Sequence, residues 1–140
     1  MTFASEVVVN QRSRRTDQHG SGQFGAKRGA KLHQGLDIEA QPGEEIRSPI
    51  EGDVLREALP YSDDSSFRGL VIRGTGEWSG YEVKMFYVEG LFCGRATPGA
   101  MVGRAQNLTF KYPGITNHIH LEVRLNGRVL PPHEIYGLCF

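Results

Sequence analysis

Residues 117–130 read NHIHLEVRLNGRVL, and this stretch decides the fold class. From residue 118 to residue 125 polar and apolar side chains alternate, which is the pattern of a β-strand with one buried face. The pair Asn126-Gly127 is a strong two-residue turn signal, so the chain should return through residues 128–130 as a β-hairpin. The stretch therefore predicts antiparallel β-structure.

Two further segments show the same chemistry. Residues 69–74 (GLVIRG) and 81–88 (YEVKMFYV) are rich in β-branched and aromatic residues and predict strands joined by a glycine-containing hairpin loop. The 18 glycines and seven prolines indicate many turns between short elements. No window of about 11 residues has the apolar period of a helix. We expect an all-β fold, an antiparallel sheet or a sandwich of two sheets, with long loops.

Length and charge narrow the class of protein. The 140 residues predict a single domain spanning 1–140, with residues 1–31 as an N-terminal arm and loop. The 16 basic and 16 acidic residues cancel, which argues against a nucleic-acid-binding surface. No apolar run approaches the roughly 20 residues needed for membrane insertion. The basic residues of the arm predict a solvated face rather than a phosphate-binding patch; they are Arg12, Arg14, Arg15, Lys27, Arg28 and Lys31.

The cysteines and the N-terminus bear on the compartment. Cys93 and Cys139 can form at most one bridge, and we expect both to be free thiols. If Met1 is the native start, the missing signal peptide favours a reducing, cytoplasmic location. If the sequence was cut from a longer precursor, a secreted protein is the alternative.

Four polar residues fall at spacings typical of a metal site. His118 and His120 lie two apart on the predicted strand, so both side chains point to the same face. His33 and Asp37 lie four apart, which on a strand also places them on one face, with Gly35 between them to leave room. Imidazole and carboxylate are ligands that zinc prefers, and an open zinc site needs only three of them. The spacing predicts a metal site; histidines with a purely structural role are the alternative.

These residues carry a resemblance to a known family. The motif His33-x-Gly35-x-Asp37 with His118-x-His120 resembles the zinc signature of the lysostaphin-type metallopeptidases. The wider sequence is similar to leukocyte cell-derived chemotaxin 2, a non-peptidase branch of that fold, in residues 17–24, 33–38, 83–87 and 112–115. The resemblance implies a lysostaphin-type, peptidase-like fold. It also implies that His33, Asp37 and His120 hold Zn²⁺, while His118 stands beside the metal-bound water.

The sequence departs from both branches. Active peptidases of this type carry a further histidine near the end of the strand, where this chain has Tyr87 or Val88. The chemotaxin 2 branch resembles the chain in this absence, but its disulfide cysteines are not kept. At the corresponding positions this chain has Thr16, Ser21, Ala40, Glu82 and Arg124.

Three functions are compatible with these residues. We favour a zinc-binding, non-catalytic, chemotaxin-like β domain that binds a protein or glycan partner, with contacts expected on loops 10–31 and 58–68. The alternative is an active zinc endopeptidase that cleaves Gly-rich peptides or peptidoglycan bridges with His118 as its sole base. The third is a metal-free structural module.

Overall fold

The computed structural model describes residues 2–9, 14, 16–17, 20–21, 27–28, 31–32, 35–61, 63 and 66–131. Within them the strands are β1 (Thr16–Asp17), β2 (Gly20–Ser21), β3 (Lys27–Arg28), β4 (Lys31–Leu32), β5 (Leu36–Glu39), β6 (Glu45–Arg47), β7 (Gly52–Ala58), β8 (Gly69–Gly74), β9 (Tyr81–Phe86), β10 (Val88–Gly90), β11 (Gly94–Ala96), β12 (Met101–Ala105), β13 (His118–Leu125) and β14 (Arg128–Val129). One short 3₁₀ helix covers Gly76–Trp78. The predicted all-β fold is confirmed. No helix in these ranges is long and apolar enough to cross a membrane.

The main sheet has the strand order β11-β7-β8-β9-β13-β14, and every pair in it is antiparallel. Residues 120–125 of β13 pair with β9, while residues 118–121 pair with β5. Because residues 120 and 121 have partners in both strands, β5 lies on the side of β13 opposite β9. The predicted histidine strand is therefore in the interior of the sheet.

A second antiparallel sheet has three strands in the order β10-β12-β6, and two two-stranded sheets are formed by β1 with β2 and by β3 with β4. One buried hydrophobic cluster joins the main sheet to the three-stranded sheet, because apolar side chains from both are almost fully removed from water. It includes Leu36, Ile38, Ile119 and Leu121 from the main sheet and Ile46, Val88 and Val102 from the three-stranded one. The apolar residues that alternate with polar ones in segments 36–38 and 118–125 therefore face the core, as expected for strands with one buried face.

The predicted hairpin at Asn126-Gly127 is confirmed. Leu125 pairs with Arg128, and the two turn residues have φ angles of 50° and 84°. Positive φ at both central residues is the requirement of the tight turn that suits the twist of a hairpin.

The strand predicted over residues 81–88 is interrupted at Tyr87, so the prediction of one continuous strand was wrong. Tyr87 has a φ of 66°, a left-handed conformation that is uncommon for a residue with a side chain. The N–H groups of Tyr87 and Val88 both donate to the carbonyl oxygen of Arg68, at 2.7 and 3.1 Å. Tyr87 is therefore the point where the chain passes from the main sheet to the three-stranded sheet.

Candidate metal-binding pocket

Three neighbouring strands place Asp37, His120 and Phe86 in one row across the main sheet. His120 is directly opposite Asp37 in β5 and Phe86 in β9, and directly opposite residues share a face. Asp37 Oδ1 lies 3.1 Å from His120 Nδ1. The Phe86 ring stacks on the imidazole, with centroids 5.6 Å apart and an interplanar angle of 19°. The register thus brings a carboxylate and an imidazole into contact.

Gly35 makes room for the His120 ring. A Cβ atom at residue 35 would lie 2.3 Å from the carbonyl oxygen of Leu121 and 2.9 Å from two atoms of the His120 imidazole. Neither the backbone nor a ring held by neighbours on several sides can move away cheaply. The structure therefore requires a residue without a side chain at position 35.

The second ring nitrogen of His120 contacts a carboxylate that the sequence analysis did not identify. His120 Nε2 lies 3.1 Å from Oε1 of Glu122, two residues further along β13. Burial disfavours the imidazolium, but the hydrogen bonds and charges of Asp37 and Glu122 outweigh it and raise the pKa of His120 to about 9. Burial alone would raise the pKa of Glu122, yet the contact with His120 lowers it overall. In the metal-free protein His120 therefore carries a positive charge at neutral pH.

His118 is buried and neutral. Its Nδ1 lies 2.7 Å from the carbonyl oxygen of Thr116, which can only accept, so Nδ1 carries the hydrogen. Burial lowers the pKa of His118, and the charge of Asp37 offsets this only in part. The unprotonated Nε2 then faces Asp37 Oδ2 at 3.4 Å. His118 therefore presents an unprotonated nitrogen beside the Asp37 carboxylate.

Arg14 is part of this site, so the prediction of a solvated face was wrong for this residue. Its Nη1 donates to Asp37 Oδ2 at 2.9 Å, and its Nε and Nη2 donate to the two oxygens of Asp17 at 3.1 and 2.9 Å. Asp17 Oδ2 also accepts the backbone N–H of Thr116. Burial alone would lower the pKa of Arg14, but these carboxylates raise it overall. The physical reason for the difference is that two carboxylates replace the water that an isolated guanidinium would need. Arg12, Arg15 and the side chains of Lys27, Arg28 and Lys31 lie outside the described part of the chain.

A cavity of about 370 Å³ opens over these groups. Three tyrosine hydroxyls are linked along its wall: Tyr61 Oη lies 3.1 Å from Tyr87 Oη and 2.5 Å from Tyr112 Oη. The remaining wall is mainly apolar and is formed by Pro60, Phe86, Leu108 and Ile115. The pocket therefore combines a polar floor with aromatic sides.

Of Tyr87 and Val88, the two residues at which the resemblance leads one to look for a further histidine, Tyr87 is the one that faces His118. Its ring stands edge-on to the His118 ring, with centroids 5.6 Å apart and an interplanar angle of 89°. Val88, the other candidate position, is fully buried in the hydrophobic core. Burial raises the pKa of Tyr87, which keeps its phenol neutral. The pocket thus presents a neutral hydroxyl beside His118.

The predicted ligands can be compared with this geometry. Asp37 and His120 are in contact and His118 is adjacent, whereas His33 lies outside the described residues. In the described part of the chain no group of three or more His, Cys, Asp or Glu side chains forms a metal site on its own. Ligand atoms around tetrahedral zinc lie roughly 3.4 Å apart. The 3.1 Å separation of Asp37 Oδ1 and His120 Nδ1 is close to this, so these two residues fit a zinc ion that takes its further ligands from elsewhere.

Known proteins resemble the chain in sequence. No protein-family model matches it. Leukocyte cell-derived chemotaxin-2 of Bos taurus is 35% identical over 111 residues, which cover 78% of this chain and 71% of that protein. The chain belongs to the leukocyte cell-derived chemotaxin-2 family. The Mus musculus protein of the same name is 30% identical over the same coverage.

Solved structures similar to this chemotaxin-2 family member establish its fold. The solution structure of lysostaphin matches with a TM-score of 0.68 at 11% identity, covering 99% of this chain and 57% of that one. A zinc containing peptidase from Vibrio cholerae matches at 0.63 and 20% identity, covering 93% and 39%. A chain of the SpoIIIAH and SpoIIQ complex matches at 0.64 and 14% identity, covering 95% and 99%. The predicted lysostaphin-type, peptidase-like fold is confirmed.

Proposed function

We propose that this chemotaxin-2 family chain binds one Zn²⁺ through His33, Asp37 and His120, with His118 beside the metal. Asp37 and His120 meet from neighbouring strands, and their facing atoms are separated by a distance that suits zinc. The assignment of His33 as a zinc ligand is inferred from its position in the motif, four residues before Asp37. The V. cholerae neighbour, described as a zinc containing peptidase, is consistent with this metal.

We further propose that the chain does not hydrolyse peptides. Bound zinc would supply a nucleophile by lowering the pKa of a water toward about 7. The protein must still stabilise the oxyanion and protonate the leaving amine, and His118 is one group suited to such work. The observation that carries the proposal is Tyr87, a neutral phenol that faces His118 where a second histidine would act. Loss of one such partner commonly costs roughly 10²–10³ in rate.

The second candidate function is an active zinc endopeptidase acting on Gly-rich peptides or peptidoglycan bridges. It is favoured by His118, whose Nε2 is unprotonated and can therefore accept a proton, as a general base requires. In this case His118 would act without a histidine partner, and Tyr87 would serve as the hydrogen-bond donor.

Metal binding is tested by elemental analysis of gently purified protein. We expect about one zinc per chain, which His33→Ala or Asp37→Ala should remove. Asp53→Ala is a matched control, because Asp53 is an acidic residue of β7, a strand that does not adjoin β5 or β13. If the parent protein contains no zinc and cannot be loaded with it, the proposal is wrong.

Catalytic silence is tested with polyglycine and peptidoglycan substrates. We expect no turnover by the parent above a chelator-treated control. Tyr87→His restores the missing group at a backbone conformation that histidine tolerates, and Tyr87→Phe controls for loss of the hydroxyl alone. Zinc-dependent cleavage by the parent would favour the endopeptidase. Cleavage by Tyr87→His alone would identify this residue as the cause of silence.

A partner-binding role is the activity that we assign instead. The similar SpoIIIAH and SpoIIQ complex is an assembly of two proteins, so this fold occurs in protein–protein association. We expect the partner, a protein or a glycan, to contact loop 58–68, whose Tyr61 borders the pocket, and loop 10–31. Immobilised glycans and cell-surface protein ectodomains test this assignment. Binding to neither class above a denatured control would contradict it.

A further inference from the structure

Glu122 contacts the His120 nitrogen that points away from Asp37. His120 and Glu122 lie two apart on β13, so strand geometry puts both side chains on one face. The distance from His120 Nε2 to Glu122 Oε1 is 3.1 Å. Glu122 Oε2 is in turn 3.5 Å from Nη2 of Arg124, the next residue on that face. The zinc motif does not include Glu122.

The His120 ring has little freedom to choose another orientation. Phe86 stacks on one face of the imidazole, and the backbone of Gly35 is close enough that even a methyl group would collide with the ring. Asp37 and Glu122 then engage its two nitrogens from opposite sides. The orientation in which Nδ1 faces Asp37 is therefore built into the sheet.

We propose that Glu122 is a positioning residue that selects the metal-binding tautomer of His120. By accepting a hydrogen bond from Nε2–H, its carboxylate keeps the hydrogen on Nε2 and leaves the lone pair of Nδ1 for the metal. Histidines that bind metals generally donate their other N–H to a carboxylate or carbonyl, which fixes the ring and increases its basicity. This inference rests on the zinc binding proposed above and adds a residue outside the ligand set.

The first test compares zinc dissociation constants, measured by competition with a chromophoric chelator. We expect Glu122→Ala to weaken zinc binding by roughly 10- to 100-fold, and Glu122→Gln by roughly tenfold, because the neutral amide accepts a weaker hydrogen bond. Glu82→Gln is the matched control. Glu82 lies on β9 opposite Arg124. This pair is two cross-strand pairs further from His120 than the pair of Glu122 with Lys84. The control variant should change the affinity less than about twofold.

The second test identifies the protonated nitrogen directly. In ¹⁵N NMR spectra of the zinc-loaded parent, His120 should carry its hydrogen on Nε2 and bind the metal through Nδ1. In the parent the Nε2–H resonance should be shifted downfield and protected from exchange with water by its hydrogen bond to Glu122. Glu122→Ala should lose both properties, whereas a role limited to folding would leave them unchanged. If Glu122→Ala does not fold, the nearly isosteric Glu122→Gln decides the question.

The outcomes separate this inference from the proposed function. Zinc binding within about twofold of the parent in Glu122→Gln, or metal bound through Nε2 in the parent, would overturn the positioning role while leaving the zinc site intact. A parent that binds no zinc would overturn both.

Discussion

Replacing Arg14 with methionine should destabilise the metal-free protein considerably. The side chains of Arg14 and Asp37 are each only 4% exposed, and the 2.9 Å contact between them is one of three hydrogen bonds that the guanidinium makes to carboxylates. Removing one partner of a buried ion pair typically costs roughly 3–5 kcal/mol, because the remaining charge loses its compensation. His120 still contacts Asp37 in the variant, so we expect a loss near 3 kcal/mol.

The assays are urea unfolding, which measures the free energy, and thermal unfolding, which measures the Tm, both of chelator-treated protein. For a chain of this size, a loss of about 3 kcal/mol corresponds to a decrease in Tm of roughly 6–12 °C. Arg95→Met is a matched control, since Arg95 pairs with Glu51 at 2.6 Å but its side chain is 56% exposed. Exposed pairs contribute roughly 0–1 kcal/mol, so this variant should be close to the parent.

A double variant tests whether the stability loss in Arg14→Met arises from the uncompensated charge of Asp37. Asp37→Asn removes the charge that Arg14 compensates, so in that background Arg14→Met should cost distinctly less than alone. Two results would refute the reasoning. One is a cost for Arg14→Met no greater than that for Arg95→Met, and the other is strict additivity with Asp37→Asn.

Three further predictions concern the pocket and the thiols. Gly35→Ala should destabilise the fold by roughly 1–3 kcal/mol and abolish zinc binding. The control Gly90→Ala should do neither, because its added carbon meets only an ordinary 3.7 Å contact. Normal zinc content in Gly35→Ala would contradict this prediction. Because the pKa of His120 in the folded metal-free protein is about 9, above the unfolded value near 6.5, its contribution to stability is complete below pH 6.5. That contribution, roughly 3 kcal/mol, should be lost as the pH rises through 9. Zinc affinity should increase over the same range, because the competing proton leaves His120. Urea unfolding and zinc titrations across pH 6–10 check both results, with His120→Asn as the control. Cys93, which is exposed, and Cys139 should both react with a thiol reagent in denatured, non-reduced protein, and absence of free thiol would show that they pair.

The sheet and part of the site could be predicted because alternation is a local signal. The period of two in residues 118–125 fixes which side chains face the core, and it therefore also places His118 and His120 together on the other face. The contact between His120 and Glu122 follows from the same rule, so the sequence did contain the signal for this missed residue. The contact of His120 with Asp37 needs the register between β13 and β5, which alternation alone does not determine.

Arg14 and Tyr87 could not be predicted in the same way. Arg14 lies in a polar, glycine-rich segment, and its burial depends on Asp37, 23 residues further along the chain. Only Asp17, three residues away, gives a weak local indication of a partner. The left-handed conformation of Tyr87 has no signal in its residue type, because tyrosine favours strands. Its position depends on where the chain passes from the main sheet to the three-stranded sheet, and this is determined by tertiary structure.

The conformation of Tyr87 has a consequence for protein engineering. A programme that optimised thermal stability alone would replace a non-glycine residue at a φ of 66° by glycine or asparagine, which relieve backbone strain. At this position the replacement would also delete the hydroxyl that bonds to Tyr61 and the ring that borders His118. A consensus or computationally stabilised version of this domain should therefore keep Tyr87 fixed, because the more stable backbone would come with an altered pocket.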